Sequence, residues 1–106
     1  MKIEFEQEYL RELFEEGKTS GKKYRFQPQV IRQFPKTIGR VRDAGKIEDL
    51  YVIGSLNHEK LGGDKKGLES VRVNDQYRVE FKSRTQGEEP LTLTICSIIE
   101  LSNHYK

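Results

Sequence analysis

The sequence predicts an α+β domain in which an antiparallel-rich, twisted sheet of four or five strands packs against two N-terminal helices. Three observations carry this reading. Apolar residues fall at helical spacing over roughly the first forty residues, the period shifts towards two from residue 55 onward, and glycine- and lysine-rich loops separate the segments. With 106 residues the chain is expected to form one domain over 1–106, because two halves would each approach the ~40-residue floor for an unassisted core. One cysteine excludes an internal disulfide and a Cys-rich zinc site. The opening MKIEFEQEYLRELFEE lacks the basic start and apolar run of a signal peptide. No stretch approaches the ~20 apolar residues of a membrane span. A soluble, cytoplasmic protein without a membrane partner is expected.

Taken in order, Lys2 to Phe5 read as a short strand. A helix follows, with Tyr9, Leu10, Leu13 and Phe14 on one face and Gly17 as its stop. Residues 17–25, GKTSGKKYR, are too polar and glycine-rich to bury and form a basic loop. A second helix starts near Pro28, where a missing N–H is harmless, and carries the stripe Val30, Ile31, Phe34, Ile38 and Val41. Pro35 lies inside that stripe and costs ~3 kcal/mol in a regular helix, so a kink or break is expected there. IEDLYVI (47–53) reads as one more helical turn with Ile47, Leu50 and Tyr51 inward. SLNHEKL (55–61) fits a short strand, and LGGDKKG (61–67) a loop.

GLESVRVNDQYRVEFKS is the clearest hairpin signal. A two-residue loop at 74 and 75 would set Val71 against Arg78 and mix charge into the apolar face. A three-residue loop over 74–76 gathers Val71, Val73, Tyr77, Val79 and Phe81 on one face and aligns Arg72 beside Arg78 on the other, and this register is preferred. Like charges placed opposite each other repel, which an acid or phosphate between them would relieve. A last, largely buried strand is expected from Leu91, Leu93, Ile95, Ser97 and Ile99 alternating with Thr92, Thr94, Cys96 and Ile98.

The net charge is only +2, but its distribution is uneven. Between residues 17 and 42 stand Lys18, Lys22, Lys23, Arg25, Arg32, Lys36, Arg40 and Arg42 with no acid. Arg32, Lys36 and Arg40 recur every four residues and form a basic ridge on the second helix. Such asymmetry suits a polyanionic partner, with a solvated face as the plainer alternative.

Walker, dinucleotide-binding, HExxH, CxxC and GxSxG signatures are absent, and LGGDKKG lacks the GK[ST] ending of a phosphate-binding loop. Cys96 reads as an inert core thiol. Two histidines remain, His58 before the lysine-rich loop and His104 beyond the last strand. Metal-free RNA cleavage needs a base for the 2′-OH, an acid for the departing 5′-oxygen and cations for the phosphorane charge. Histidine, with its pKa of ~6.5, suits the first two roles. Arg78, Arg72, Lys65 and Lys66 are the candidate cations. No cofactor is called for.

The opening FEQEYLRELFEEGK, the GDKKG loop, the run GLESVRVNDQYRVEF (Gly67 to Phe81) and the ending ELSNHYK stand in one order along nearly the whole chain. Together they resemble the HigB-type toxins of the RelE/ParE superfamily, the killer components of type II toxin–antitoxin pairs. The resemblance implies a RelE-like fold and a ribosome-dependent mRNA endoribonuclease, or mRNA interferase. Such an enzyme enters the ribosomal A site and cleaves the message by metal-independent 2′-OH attack. It implies catalytic roles for His58, His104, Arg78 and Lys65. RNA contacts are implied from Arg72, Lys66, Lys22, Lys23, Arg32, Lys36, Arg40, Asn103 and Tyr105. It also implies a cognate helix-turn-helix, HigA-like antitoxin, through which alone operator DNA would be bound.

Family members often end in an Asp-Tyr-His-like sequence, whereas Ser102-Asn103-His104-Tyr105-Lys106 stands here, without the carboxylate and with the aromatic beyond the histidine. The competing class on the same fold is a ParE-like, non-enzymatic inhibitor of DNA gyrase. A nucleic-acid-binding module without toxicity is the third reading.

Overall fold

The computed structural model describes residues 1–21 and 23–103. The chain runs β1 (Lys2–Phe5), α1 (Glu8–Glu15), α2 (Pro28–Asp43), α3 (Glu48–Tyr51), β2 (Glu59–Lys60), β3 (Glu69–Arg72), β4 (Tyr77–Gln86) and β5 (Leu93–Asn103). Single 3-10 turns at Gly54–Leu56 and Gly63–Lys65 flank β2. The five-stranded sheet has the order β1-β5-β4-β3-β2. β1 pairs with β5 in parallel and the other neighbours are antiparallel. This is the α+β architecture expected from the sequence.

Both N-terminal helices form where the apolar spacing placed them. α1 buries Tyr9, Leu10 and Leu13, and Gly17 follows it in the left-handed region at φ 71°, a conformation open to a residue without Cβ. α2 begins at Pro28 and runs unbroken to Asp43 with Pro35 inside it. Of the kink or break expected there, the break is absent because packing outweighs the local defect. An interior proline costs ~3 kcal/mol, whereas Val30, Phe34, Ile38 and Val41 are all fully buried, each such side chain being worth about 1.5–3 kcal/mol. These residues face Val71, Val79, Phe81, Cys96, Ile98 and Leu101 of the sheet in one hydrophobic cluster.

Two local expectations need correction. Residues 55–61 do not form one strand. Gly54–Leu56 is a 3-10 turn that buries Leu56, and Asn57 is left-handed at φ 42°, so extension resumes only at Glu59–Lys60. In α3 Leu50 points inward, but Tyr51 is about half exposed and lays its ring on His58, 4.5 Å between centroids.

The hairpin adopts the three-residue loop. Val71 pairs with Val79 and Arg72 with Arg78, and Val73 N–H donates to the Tyr77 carbonyl at 2.9 Å. Asn74 closes the loop by accepting from the Gln76 and Tyr77 amides at 2.9 and 2.8 Å, an Asx-type turn. Further along, Glu80 pairs with Glu100 but Phe81 pairs with Ile98, which leaves Ile99 as the extra residue of a β-bulge. The Ile99 carbonyl accepts from Gln7 Nε2 at 2.7 Å.

Thr37 is fully buried on α2, and its Oγ1 has no hydrogen-bond partner among the described residues. An unsatisfied buried hydroxyl costs about 1–3 kcal/mol. Thr37→Val, which keeps the branched shape, is expected to stabilise the protein by about 1 kcal/mol and raise its Tm by about 4–8 °C. Calorimetry of both proteins checks this.

Candidate functional site

Strand alternation divides β4 between two environments. Val79 and Phe81 enter the core on the helix side, whereas Arg78 and Glu80 point to the opposite face and are nevertheless buried. There they line a cavity of about 210 Å³ with Glu59, Leu61, Lys65, Ser70, Ser102 and Asn103.

Arg78 is held by three elements. Its Nε donates to Ser70 Oγ on β3 at 2.9 Å, its Nη2 donates to the Asn57 carbonyl at 2.7 Å, and Glu59 of β2 lies 3.7 Å away. The left-handed turn at Asn57 is what brings that carbonyl to the guanidinium. Asparagine tolerates this backbone region better than most residues.

Lys65, at the end of the second 3-10 turn, donates to Glu80 Oε2 at 2.7 Å; the lysine side chain is 50% exposed and the glutamate 8%. The hydrogen bond from the ammonium to Glu80 raises the lysine pKa above its ordinary 10.5.

A second, larger groove of about 520 Å³ shares Lys65, Ser102 and Asn103 with the first and extends to Tyr9, Lys23, Tyr24, Arg25, Phe26, Tyr77 and Glu100. It forms because β1 covers only residues 95–98 of β5, so the basic loop before α2 reaches the rest of that edge. The loop is anchored by its aromatics. Tyr24 stacks on Tyr9 at 3.9 Å and Phe26 meets Tyr77 edge-on at 5.7 Å. Tyr9 Oη in turn accepts from the Leu101 N–H at 3.2 Å, and burial raises the pKa of that phenol.

The residues singled out from sequence are only partly brought together. Arg78, Lys65 and Asn103 share the first cavity. Lys23 joins Lys65 and Asn103 in the second. Arg72 stands beside Arg78 in the ladder, but no anion is needed between them. Its Nε donates to the Asn74 carbonyl at 3.2 Å and its Nη2 pairs with Asp75, so it is drawn towards the hairpin loop. Lys66 is exposed just after the 3-10 turn. Arg32, Lys36 and Arg40 form the expected exposed ridge, yet none of them lines either cavity. Arg40 Nη1 instead donates to Ser55 Oγ at 3.1 Å. Lys22, His104 and Tyr105 lie outside the described residues.

His58 departs most from its expected role. Its ring lies on the core face of the sheet, opposite Arg78. Nε2 is hydrogen-bonded to Glu69 Oε1 at 2.6 Å, and the ring sits between Tyr51 and Phe81. Its side chain is 7% exposed. A proton-transfer group must come within hydrogen-bond reach of the reacting atoms, and the sheet separates His58 from the cationic cavity.

Sequence reasoning passed over Ser70, Asn57, Glu69 and Glu80. Once the hairpin register is set, alternation alone places Ser70 and Glu80 with Arg78; the roles of Asn57 and Glu69 depend on tertiary packing. Cys96 is fully buried, and burial pushes its thiol up to about 11, in keeping with an inert core residue. Among the described residues, no group of His, Cys, Asp or Glu side chains could hold a metal ion, and no helix is long and apolar enough to cross a membrane.

A buried arginine and a lysine–glutamate pair stand on one sheet face, with a basic and aromatic groove alongside. Comparisons with known proteins identify the scaffold as that of a RelE-like toxin. A solved YoeB/ParE toxin from Agrobacterium tumefaciens matches with a TM-score of 0.52 at 16% identity, covering 99% of this chain and 100% of that one, a likeness of fold. Toxin HigB-1 of Vibrio cholerae serotype O1 is 32% identical over 83 residues, 77% of this chain and 83% of the relative. The HigB-like toxin family, described as the RelE-like toxin of type II toxin–antitoxin system HigB, matches residues 3–90. The chain belongs to the HigB-like toxin family, and membership implies an antitoxin partner.

Two stability measurements follow from this geometry. His58→Ala removes a donor from the buried Glu69 carboxylate, leaving the Ser83 hydroxyl at 3.2 Å, and is expected to cost about 1–3 kcal/mol in urea denaturation. For Lys65 the folded pKa is raised, so its contribution is full below the unfolded value of ~10.4 and is lost as pH rises through the folded value. The urea-midpoint gap between wild type and Lys65→Met is therefore expected to stay constant from about pH 6 to 9 and to close only above about pH 10.5.

Proposed function

We propose that this toxin is a ribosome-dependent mRNA endoribonuclease that inhibits translation, acting in the cytoplasm and neutralised by a helix-turn-helix antitoxin through which operator DNA is bound. The observation that carries the reading is the meeting of Arg78, Lys65, Ser102 and Asn103 in one cavity that opens into the groove of Lys23, Arg25, Tyr24 and Phe26. Cations close to a phosphodiester stabilise the charge that develops on it. Basic side chains interleaved with aromatic ones suit single-stranded RNA, which is bound through phosphates and stacked bases.

In this reading Arg78 and Lys65 bind the scissile phosphate. His104, which follows Asn103 in the chain, takes part in proton transfer, and the ribosome holds the message so that the 2′-oxygen attacks in line. Lys22, Lys66, Tyr105 and the α2 ridge of Arg32, Lys36 and Arg40 face RNA away from the reacting atoms. His58 is assigned to the support of β3 through Glu69.

The second reading, non-enzymatic inhibition of DNA gyrase on the same scaffold, draws on one observation. The His58 imidazole is turned into the core and so is withdrawn from the cationic cavity.

Primer extension on mRNA from cells expressing the toxin, run beside a DNA-gyrase cleavage assay, separates the two. The expected result is new mRNA 5′ ends within translated regions and unaltered gyrase. Arg78→Ala and Lys65→Met, with the Tm of each recorded, are each expected to lower cleavage about 10²–10³-fold. Gyrase-trapped DNA breaks with intact messages would establish the second reading instead.

A further inference from the structure

We infer that Glu80 is the general base of the proposed cleavage reaction, held in reserve by Lys65 until RNA binds. The inference rests on the endoribonuclease reading above and adds a catalytic residue to it.

Three observations point to Glu80. The first is chemical elimination. Of the described side chains lining the smaller cavity, only Glu59 and Glu80 can take a proton from a ribose hydroxyl near neutral pH, because Arg78, Lys65, Ser70, Ser102, Asn103 and Leu61 cannot. The described imidazole, His58, lies across the sheet.

The second is burial. Glu59 is about half exposed on a two-residue edge strand, whereas the Glu80 side chain is 8% exposed in the middle of the longer β4. Burying a carboxylate costs several kcal/mol unless it is well compensated. Its compensating partner is Lys65, whose side chain is half exposed on a short turn, and such pairs are worth little. Stability alone gives a poor reason for a carboxylate at this position.

The third is the order of charges. Arg78 stands two residues from Glu80 on the same strand face, and Lys65 contacts Glu80 directly. A phosphate entering between these cations draws the mobile ammonium away from Oε2 and leaves the carboxylate beside the nucleotide.

In the step that follows, the O2′–H bond breaks and its proton passes to a Glu80 carboxylate oxygen. O2′ bonds to phosphorus, and the P–O5′ bond breaks with its electron pair on O5′, which takes a proton from solvent water. The products are a 2′,3′-cyclic phosphate and a 5′-hydroxyl. No oxidant, metal or further reactant enters. The charged and titratable groups around Glu80 are Lys65 from the turn before β3, Arg78 and Lys82 on β4, Glu100 opposite it on β5, Glu59 on β2 and the Tyr9 phenol from α1.

The test is single-turnover cleavage of an mRNA bound to ribosomes by wild type, Glu80→Gln and Glu80→Asp, with toxin–ribosome affinity and Tm recorded for each. Glu80→Gln, which keeps the shape but cannot take a proton, is expected to lose about 10²-fold or more in rate with affinity unchanged. Glu80→Asp keeps the charge but withdraws the carboxylate by one methylene, and is expected to lose only about 10–100-fold. Should Glu80→Gln fail to fold, Glu80→Asp decides alone.

An active wild type with Glu80→Gln cleaving at a similar rate overturns the assignment while leaving the proposed function intact. So does a rate loss in Glu80→Gln that is fully matched by lost ribosome affinity. A wild type that cuts no message and traps gyrase overturns both.

Discussion

The antiparallel pairing of β4 with β5 decides on which side of the sheet each charged group stands. Successive residues of a strand face opposite ways, so Val79 and Phe81 join the helices in the core while Arg78 and Glu80 are carried together into the cavity behind them. The hairpin register fixes β3 in step, with Ser70 opposite Glu80 and diagonal to Arg78. One residue of slip would send the valines to solvent and the arginine among apolar side chains, a cost far beyond that of the adjacent arginines the chosen register tolerates.

Arg78 shows how such a residue is kept in place. A guanidinium removed from water needs its donors answered, and here a β3 hydroxyl and the Asn57 carbonyl answer two of them while Glu59 supplies nearby charge. The planar fork is thus aimed before any ligand arrives. Its ladder neighbour Arg72 is satisfied separately by the hairpin loop. The repulsion expected between the two is relieved by divergence of the side chains.

Much of the fold was legible in the residues themselves. Helical spacing located α1 and α2, and period two located the hairpin and its three-residue loop. Period two failed at SLNHEKL because a left-handed asparagine and a buried leucine turn the chain where the apolar pattern alone permits a strand. The Pro35 break failed because a propensity penalty was weighed without the four buried side chains that oppose it. The site was less legible. Composition marked the basic groups but could not say which of them share a cavity, and the Arg32, Lys36 and Arg40 ridge proved separate from Arg78. His58 lies within two residues of Glu59 in sequence, yet the two side chains fall on different faces of the sheet, a distinction visible only once the edge strand is paired.

Ile99 gives β5 a half-step. Before it the even residues Cys96 and Ile98 point to the core, and after it the odd residue Leu101 does so. Because 95, 96, 98 and 99 are all apolar, the hydrophobic composition of this stretch suits either phase, and the insertion rather than the composition decides which face Ser102 occupies. Loss of that single residue would let Ile98 and Glu100 follow each other as regular partners of Phe81 and Glu80, keeping Leu101 inward and Ser102 outward but removing the carbonyl that Gln7 binds, whereas loss of a residue elsewhere in the ladder would reverse both faces. Substitutions here are graded in their effect and changes of length in the paired stretches are all-or-none, so the bulge is the one place where this strand can absorb a change in count.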